Sequence, residues 1–429
     1  MRTLISLLQI SVALLAALAI LLLDIRWIAA GVVAVALVIW LTRPGRPILL
    51  LLRSALTLLL QRQAAALVIM VGVGAVCATY VGMRSVGTGL DGIMQSTGDD
   101  ATAIILKQGA RTEADSSLSR DVVSRIVSAD GVARTASGEG VASQELAITA
   151  EDLKGRHLHV RGVSALANLV YASSHLIEGR MFRSGVHELV AGANLSGQFD
   201  GDPIGATVTI NGEPWRIVGV LRSGDAHDAE LWGDSVTLAS AFGRNDYQDV
   251  VVRLNGAQGL STLTAWARAN SRLNLEVDST RHFYASQSKV FTQVIRIFSV
   301  CIAILLGLGA FFAVLNTMFT VAEERMCEMS TLRAIGFSSI GVVVAFCIEG
   351  ALLALAGGVM TVGFVWLALS GHVFSTAGAG FTQIAFVFHL DPSAVLASAR
   401  IALALGIVGS AVPGIVFLNR ELVSGLRYT

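Results

Sequence analysis

Apolar residues in this chain fall into long blocks. Leu4 to Leu23, Trp27 to Leu41, Ala64 to about Gly87, Ser286 to Phe319, Val342 to about Ser370 and Val395 to Leu418 carry few charges. Crossing a bilayer core takes about 20 apolar residues, so the pattern predicts six membrane helices. Asp24-Ile-Arg26 separates the first two blocks as a tight hairpin, with Trp27 and Trp40 near the ends of the second as interfacial anchors. No small-x-small cleavage site follows Leu4 to Leu23, which predicts a retained helix rather than a signal peptide. Pro47 to Gln63 sets Arg53 and Arg62 among leucines, the pattern of a helix lying in the interface. Gly72, Gly74 and Ala75 favour close helix packing in the third block.

Between the third and fourth blocks, Thr88 to about Gln287 is polar and of mixed periodicity. Thr102 to Leu106, Ser143 to Thr149, Leu158 to Val163 and Asp249 to Leu254 read as strands. Leu118 to Ser128 and Leu260 to Arg272 read as helices, and Leu273 to Val277 as a short strand. The clearest hairpin is Ala206 to Ile210, an Asn211-Gly212 turn, then Trp215 to Leu221. Strand-helix-strand at the start and again at the end predicts an α/β layer split by a hairpin-rich middle. Gly371 to Ser393 is a polar return without Lys or Arg between the last two helices. The predicted fold is an α-helical membrane protein, six helices in a 2+1+3 arrangement, with an inserted α+β domain.

The fourth block turns abruptly charged at Val321 to Ser339. Met326, Met329, Leu332 and Ile335 form an apolar stripe, with Glu324, Arg325, Glu328 and Arg333 elsewhere around the helix. By pattern alone this is either a loop lying on headgroups or a docking helix for a soluble partner.

Composition supports a membrane protein. The chain has 429 residues, of which 54% are hydrophobic and only 14% charged, against about 25% charged in soluble domains. Net charge is zero, which argues against nucleic-acid binding. Asp91 to Lys289 holds 24 acidic and 18 basic residues, so positive charge concentrates beside the helices. With the N-terminus inside, the inner segments carry Arg2, Arg43, Arg46, Arg53, Arg62, Arg325, Arg333, Arg420 and Arg427. The short outer loops carry Arg26 alone, with Arg84 at the outer end of the third helix. This obeys the positive-inside rule and places the large polar domain outside.

The residues around the charged segment resemble the signature of the MacB/FtsX-like permeases of ABC transporters. Asn316, Val321, Glu324, Arg325, Glu328, Leu332, Arg333, Ala334 and Gly336 follow its "N…V.ER..E...LRA.G" element. Ile348-Glu349-Gly350, Gly357-Gly358 and Gly363 resemble its third-helix pattern, and Pro413 with Leu426-Arg427 its ending. Glu178 to Phe182, Glu188 to Gly192, Pro203 to Gly205 and Trp215 to Val220 resemble the MacB-type periplasmic core domain. The resemblance divides the chain into an N-terminal hairpin (1–44), an elbow with the first core helix (45–87), a periplasmic core domain (88–287) and an FtsX-like permease domain (288–429). It implies an inner-membrane protein with both termini cytoplasmic.

The same resemblance implies an ATPase-coupling loop of Glu323, Glu324, Arg325, Glu328, Leu332, Arg333, Ala334, Ile335, Gly336 and Phe337, with Glu324 to Phe337 as a helix moved by a cytosolic ABC ATPase. The sequence contains no Gly-Lys pair and so no GxxxxGK[ST] loop. The chain is therefore expected to bind no cofactor and to be no enzyme itself, with ATP and Mg on the partner ATPase. Other implied partners are a second copy or sister permease, membrane lipid and a periplasmic adaptor. The implied function is export or extraction of a substrate; the alternative is regulation of a periplasmic hydrolase or sensor.

Other candidates are bland. Asn316 and Glu349 are polar residues inside the helices, and Glu349 needs a polar partner there. Its role is either transmission or a structural hydrogen bond to a neighbouring helix. Arg296 and Arg400 are expected to snorkel. His157 and His159 share a strand face, but two ligands make no metal site. The acidic loop Asp225 to Glu230 reads as solvated. Cys77, Cys301, Cys327 and Cys347 show no CxxC spacing, and none lies in the polar domain.

Overall fold

The computed structural model describes residues 11, 15, 19–21, 63–151, 157–199, 202–336, 338–376 and 384–418. The expected N-terminal hairpin, the interfacial stretch before Gln63 and the tail after Leu418 lie almost wholly outside these residues. The chain divides into a helical unit (1–87, 294–370 and 389–429) and a sheet unit (88–293 and 371–388).

Four helices among the described residues are long and apolar enough to cross a membrane. They are α1 (Gln63–Ser96), α6 (Thr280–Glu324), α8 (Ser339–Leu369) and α9 (Pro392–Leu418). Both α1 and α6 run beyond the lengths read from hydropathy. The end of α1 at Thr88–Ser96 and the start of α6 at Thr280–Gln293 belong to the sheet unit.

In the helical unit, Val73, Cys77, Val314, Met318, Phe346, Ala354, Ala402 and Phe417 share one buried core drawn from all four helices. Glycine permits the approach. A Cβ at Gly350 would collide with Ser410 Oγ, and one at Gly357 with the Met70 carbonyl. Thr361 Oγ1 donates to the Gly74 carbonyl across the same contact, at 3.0 Å. Packing of this kind replaces the hydrophobic drive that lipid cannot supply.

The sheet unit is built on one ten-stranded sheet. Its strands are β1 (Thr102–Lys107), β2 (Ala142–Glu151), β3 (His157–Val163), β4 (His175–Gly179), β5 (Glu188–Gly192), β6 (Thr207–Ile210), β7 (Glu213–Arg222), β8 (Leu231–Asp234), β9 (Asp249–Arg253) and β10 (Leu275–Ser279). The order is β10-β1-β9-β2-β3-β8-β5-β7-β4, with β6 on β7. Helices α2 (Arg120–Val127) and α5 (Gly259–Ala269) cover the first half around Ile105, Ile126, Val250 and Leu263. After the short helix α3 (Ala167–Val170), Leu158, Leu189, Trp215 and Ile217 make a separate core in the second half with Leu238 of α4 (Ser235–Ala241). The two halves are the split layer and its insert. Pairing of β2 with β3 makes them one sheet: Leu146 to Glu151 run antiparallel to His157 to Gly162.

The Asn211-Gly212 turn forms as its residues require, with φ of 51° and 80°. The expected strand at Leu273 to Val277 begins two residues later. Ser271–Leu273 is a 3-10 turn, and Asn274 takes a left-handed conformation before β10. The polar return is also more than a loop. Val373–Thr376 (β11) and Ile384–Val387 (β12) pair antiparallel, and residues 371–388 belong to the sheet unit. The sheet unit thus runs over 88–293 and takes in residues 371–388 as a second segment.

Candidate functional site

The charged segment between α6 and α8 is a short helix pinned by one arginine. Helix α6 ends at Glu324, Arg325 breaks the helical geometry, and α7 spans Met326–Ala334. Ile335 caps it, Gly336 reverses the chain at φ 107°, and Ser338 caps α8 by accepting from the Gly341 amide at 3.0 Å. The implied coupling helix therefore starts two residues later than Glu324. Phe337 and the side chain of Leu332 lie outside the described residues.

The apolar stripe is only half correct. Met326 is buried in the four-helix core and Met329 packs against it. Ile335, however, is 72% exposed. Nine residues is about two and a half helical turns, so a strict three-residue spacing carries Ile335 to the side opposite Met326. Ile340 is exposed close by in sequence. The outward positions are Glu323, Glu324, Cys327, Glu328, Thr331, Ala334, Ile335 and Gly336, and Arg333 is half-buried.

Arg325 does not lie on the charged outer face. It is buried, and its Nη1 donates to Glu349 Oε2 at 2.8 Å. Its Nε reaches Glu328 Oε2 at 3.3 Å. Glu349 is buried on α8, about three turns from its start. The partner that Glu349 needs is thus the arginine of the connecting segment itself. Asn316 instead lies exposed on α6. Arg296 is exposed and Arg400 half-buried.

A second charged centre lies in the sheet unit and was not legible from the sequence. Arg161 on β3 is 1% exposed and uses all five of its N–H groups. Nε and Nη2 grip Glu230 at 2.7 and 3.0 Å, Nη1 reaches Glu145 at 2.8 Å, and Nη2 and Nη1 reach Glu113 at 3.1 and 3.3 Å. Tyr171 donates to Glu145 at 2.8 Å and Tyr284 to Glu113 at 2.7 Å. His227 Nδ1 lies 3.0 Å from Glu230.

The acidic loop 225–230 is consequently not solvated: Asp225, His227, Asp228 and Glu230 are all buried. Arg161 and the loop's own hydrogen bonds compensate the desolvation that would otherwise keep carboxylates in water. Ser223 and Gly224 amides donate to Asp228. Gly192 admits the loop, because a Cβ there would strike the Asp228 carbonyl.

Burial pushes the His227 imidazole down, but the carboxylates of Asp225 and Glu230 more than reverse this, to about 9. Glu230 is opposed by burial yet held well below the carboxylate range by Arg161 and His227. Asp249, opposite Glu145 in the β2–β9 register, is driven well up by burial and then by Glu113 and Glu145. His159 is buried beside Thr149 while His157 is exposed. Among the described residues, no three His, Cys, Asp or Glu are grouped to hold a metal ion.

Comparison with known families covers both units. The MacB-like periplasmic core domain matches residues 64–269, and the FtsX-like permease C-terminal domain matches 300–422. The macrolide export ATP-binding/permease protein MacB of Shewanella sp. (strain W3-18-1) is 28% identical over 196 residues, covering 42% of this chain and 29% of that protein. The uncharacterized ABC transporter permease YknZ of Bacillus subtilis is 23% identical over 240 residues, covering 53% and 57%. The chain thus spans roughly a third of the MacB relative it matches. The solved extracellular domain of YknZ superposes with a TM-score of 0.34 at 17% identity, over 42% of this chain and all of that one.

Proposed function

A chain that joins a MacB-like periplasmic core domain to an FtsX-like permease domain belongs to the MacB/FtsX-like ABC permeases, and from that premise we propose that it couples a separate cytosolic ABC ATPase to movement of its periplasmic domain. One observation carries the reading. The segment between α6 and α8 is not a loose loop but is tied into the helix bundle by the Arg325–Glu349 pair.

An isolated charge inside a membrane is costly, so neither partner can leave without the other adjusting. Met326 adds an apolar anchor in the same core. A push on the outward face of α7 therefore reaches α8 through Arg325 and α6 through the continuous chain. In this reading Glu323, Glu324, Glu328, Ile335 and Ile340 offer the ATPase a mixed acidic and apolar surface. ATP and Mg are bound by the ATPase, and hydrolysis resets the push. Export or extraction of a substrate from the periplasmic side follows from such movement, with a second copy or sister permease completing the transporter.

The test is co-purification of the tagged full chain from bacterial membranes with mass spectrometry of what accompanies it. An ABC ATPase is expected, and Glu324→Lys combined with Arg333→Glu is expected to release it while the sheet unit keeps its resistance to proteolysis. Retained ATPase binding and turnover in that double variant count against the coupling assignment. A periplasmic hydrolase accompanying the chain would favour regulation over export.

A further inference from the structure

Loop 225–230 stands where several parts of the sheet unit converge. Thr97, directly after α1, accepts a hydrogen bond from the Ala226 amide on its Oγ1 at 3.1 Å. Tyr284, in the second turn of α6, holds Glu113 and through it Arg161; its ring and that of His227 lie nearly perpendicular, 6.0 Å apart. Strand β12, from the return between α8 and α9, packs on 226–229. The loop thus meets the extensions of both long helices and the connection between the other two, all within the sheet unit.

On its other side the loop feeds straight into the sheet. Glu230 precedes β8, which lies parallel to β3 and antiparallel to β5. The Glu230 carbonyl accepts from the Gly192 amide at 2.9 Å, and its carboxylate is gripped by Arg161 on β3. Any displacement of the loop must therefore carry Arg161 and the central strands, or break the five buried hydrogen bonds that Arg161 makes. A solvated loop could absorb the same displacement without effect.

We propose that loop 225–230, locked to Arg161, is the relay through which movement of the membrane-helix ends is passed into the central strands of the sheet unit. Thr97 and Tyr284 are its input residues, and Arg161 and Glu230 its output. They are positioning residues rather than catalytic ones. The proposal rests on the coupling reading and adds to it a defined route.

The test uses the full chain with its co-purified ABC ATPase in lipid nanodiscs. Hydrogen exchange is followed over residues 225–234 with and without ATP and Mg. Thr97→Val and Tyr284→Phe each remove one hydroxyl and keep the shape. Combined, they are expected to leave ATPase binding intact and to cut the nucleotide-dependent change in exchange by about fivefold or more, a lower bound for two lost hydrogen bonds. Thr97→Ser, which keeps the hydroxyl, is expected to retain the response. An undiminished response in the double variant overturns the relay alone, as does loss of response in Thr97→Ser equal to that in Thr97→Val. Failure of any ATPase to associate with the unmodified chain overturns the coupling reading, and the relay with it.

Discussion

The two arginines buried among the described residues are held in opposite ways. Arg161 meets three buried carboxylates and spends every donor, with tyrosines and a histidine closing the outer ring. Arg325 meets one buried carboxylate and one half-exposed one. The first arrangement has no slack, because a shift that improves one bond strains four others. The second is a single tether at the junction of two helices. Saturation suits a block that must move as one body, and a single tether suits a joint. On the coupling proposal, the tether at Arg325 serves as the joint and the saturated centre at Arg161 as the block that moves as one.

The largest expected effect comes from unbalancing the saturated centre. Arg161→Met strands three carboxylates, and removing one partner of a buried pair costs about 3–5 kcal/mol. Urea unfolding followed by the fluorescence of the buried Trp215 and Trp232 measures it. Adding Glu113→Gln and Glu230→Gln should recover part of the loss.

Next comes the tether. Arg325→Met removes the buried guanidinium that Glu349 meets at 2.8 Å, at about 2.5–3.5 kcal/mol. The pair Arg325→Met with Glu349→Met is expected to restore the melting temperature in detergent but not ATPase turnover. Full restoration of both would make the two centres alike and remove the contrast.

Smaller again is the response to pH. The folded pKa of His227, about 9, lies above the ordinary value near 6.5. Its contribution is therefore complete below about pH 6.5 and disappears as pH rises through about 9, on the order of 1–3 kcal/mol. Urea midpoints of the sheet unit should fall over that window, and His227→Gln should flatten the fall. Glu328→Gln, at a half-exposed pair, is expected to change stability by less than about 1 kcal/mol in the same detergent melt.

What the sequence revealed, and what it hid, follows from distance along the chain. Run length marked the core helices, and Asn211-Gly212 marked the hairpin, because both signals are local. That Glu349 needs a partner was legible from its cost in lipid, but its identity lay 24 positions away in a segment that looked solvated. The Arg161 centre draws on residues as far apart as Glu113 and Tyr284, 171 positions, each an ordinary charge or ring in its own neighbourhood. A faint sign was Arg161 itself, set between Val160 and Val163 on a strand whose other residues are mostly buried. The return at 371–388 carried no charge and no strong periodicity, so nothing local showed that it forms a hairpin in the sheet unit.

The most direct test of the account is ATPase turnover of the purified complex carrying Glu349→Gln. This change keeps the size of the side chain and removes only the charge that Arg325 holds. The account predicts an ATPase that remains bound and turns over at least about tenfold slower, the effect of some 1.4 kcal/mol on the barrier. Turnover equal to that of the unmodified complex, with the ATPase still bound, would contradict it.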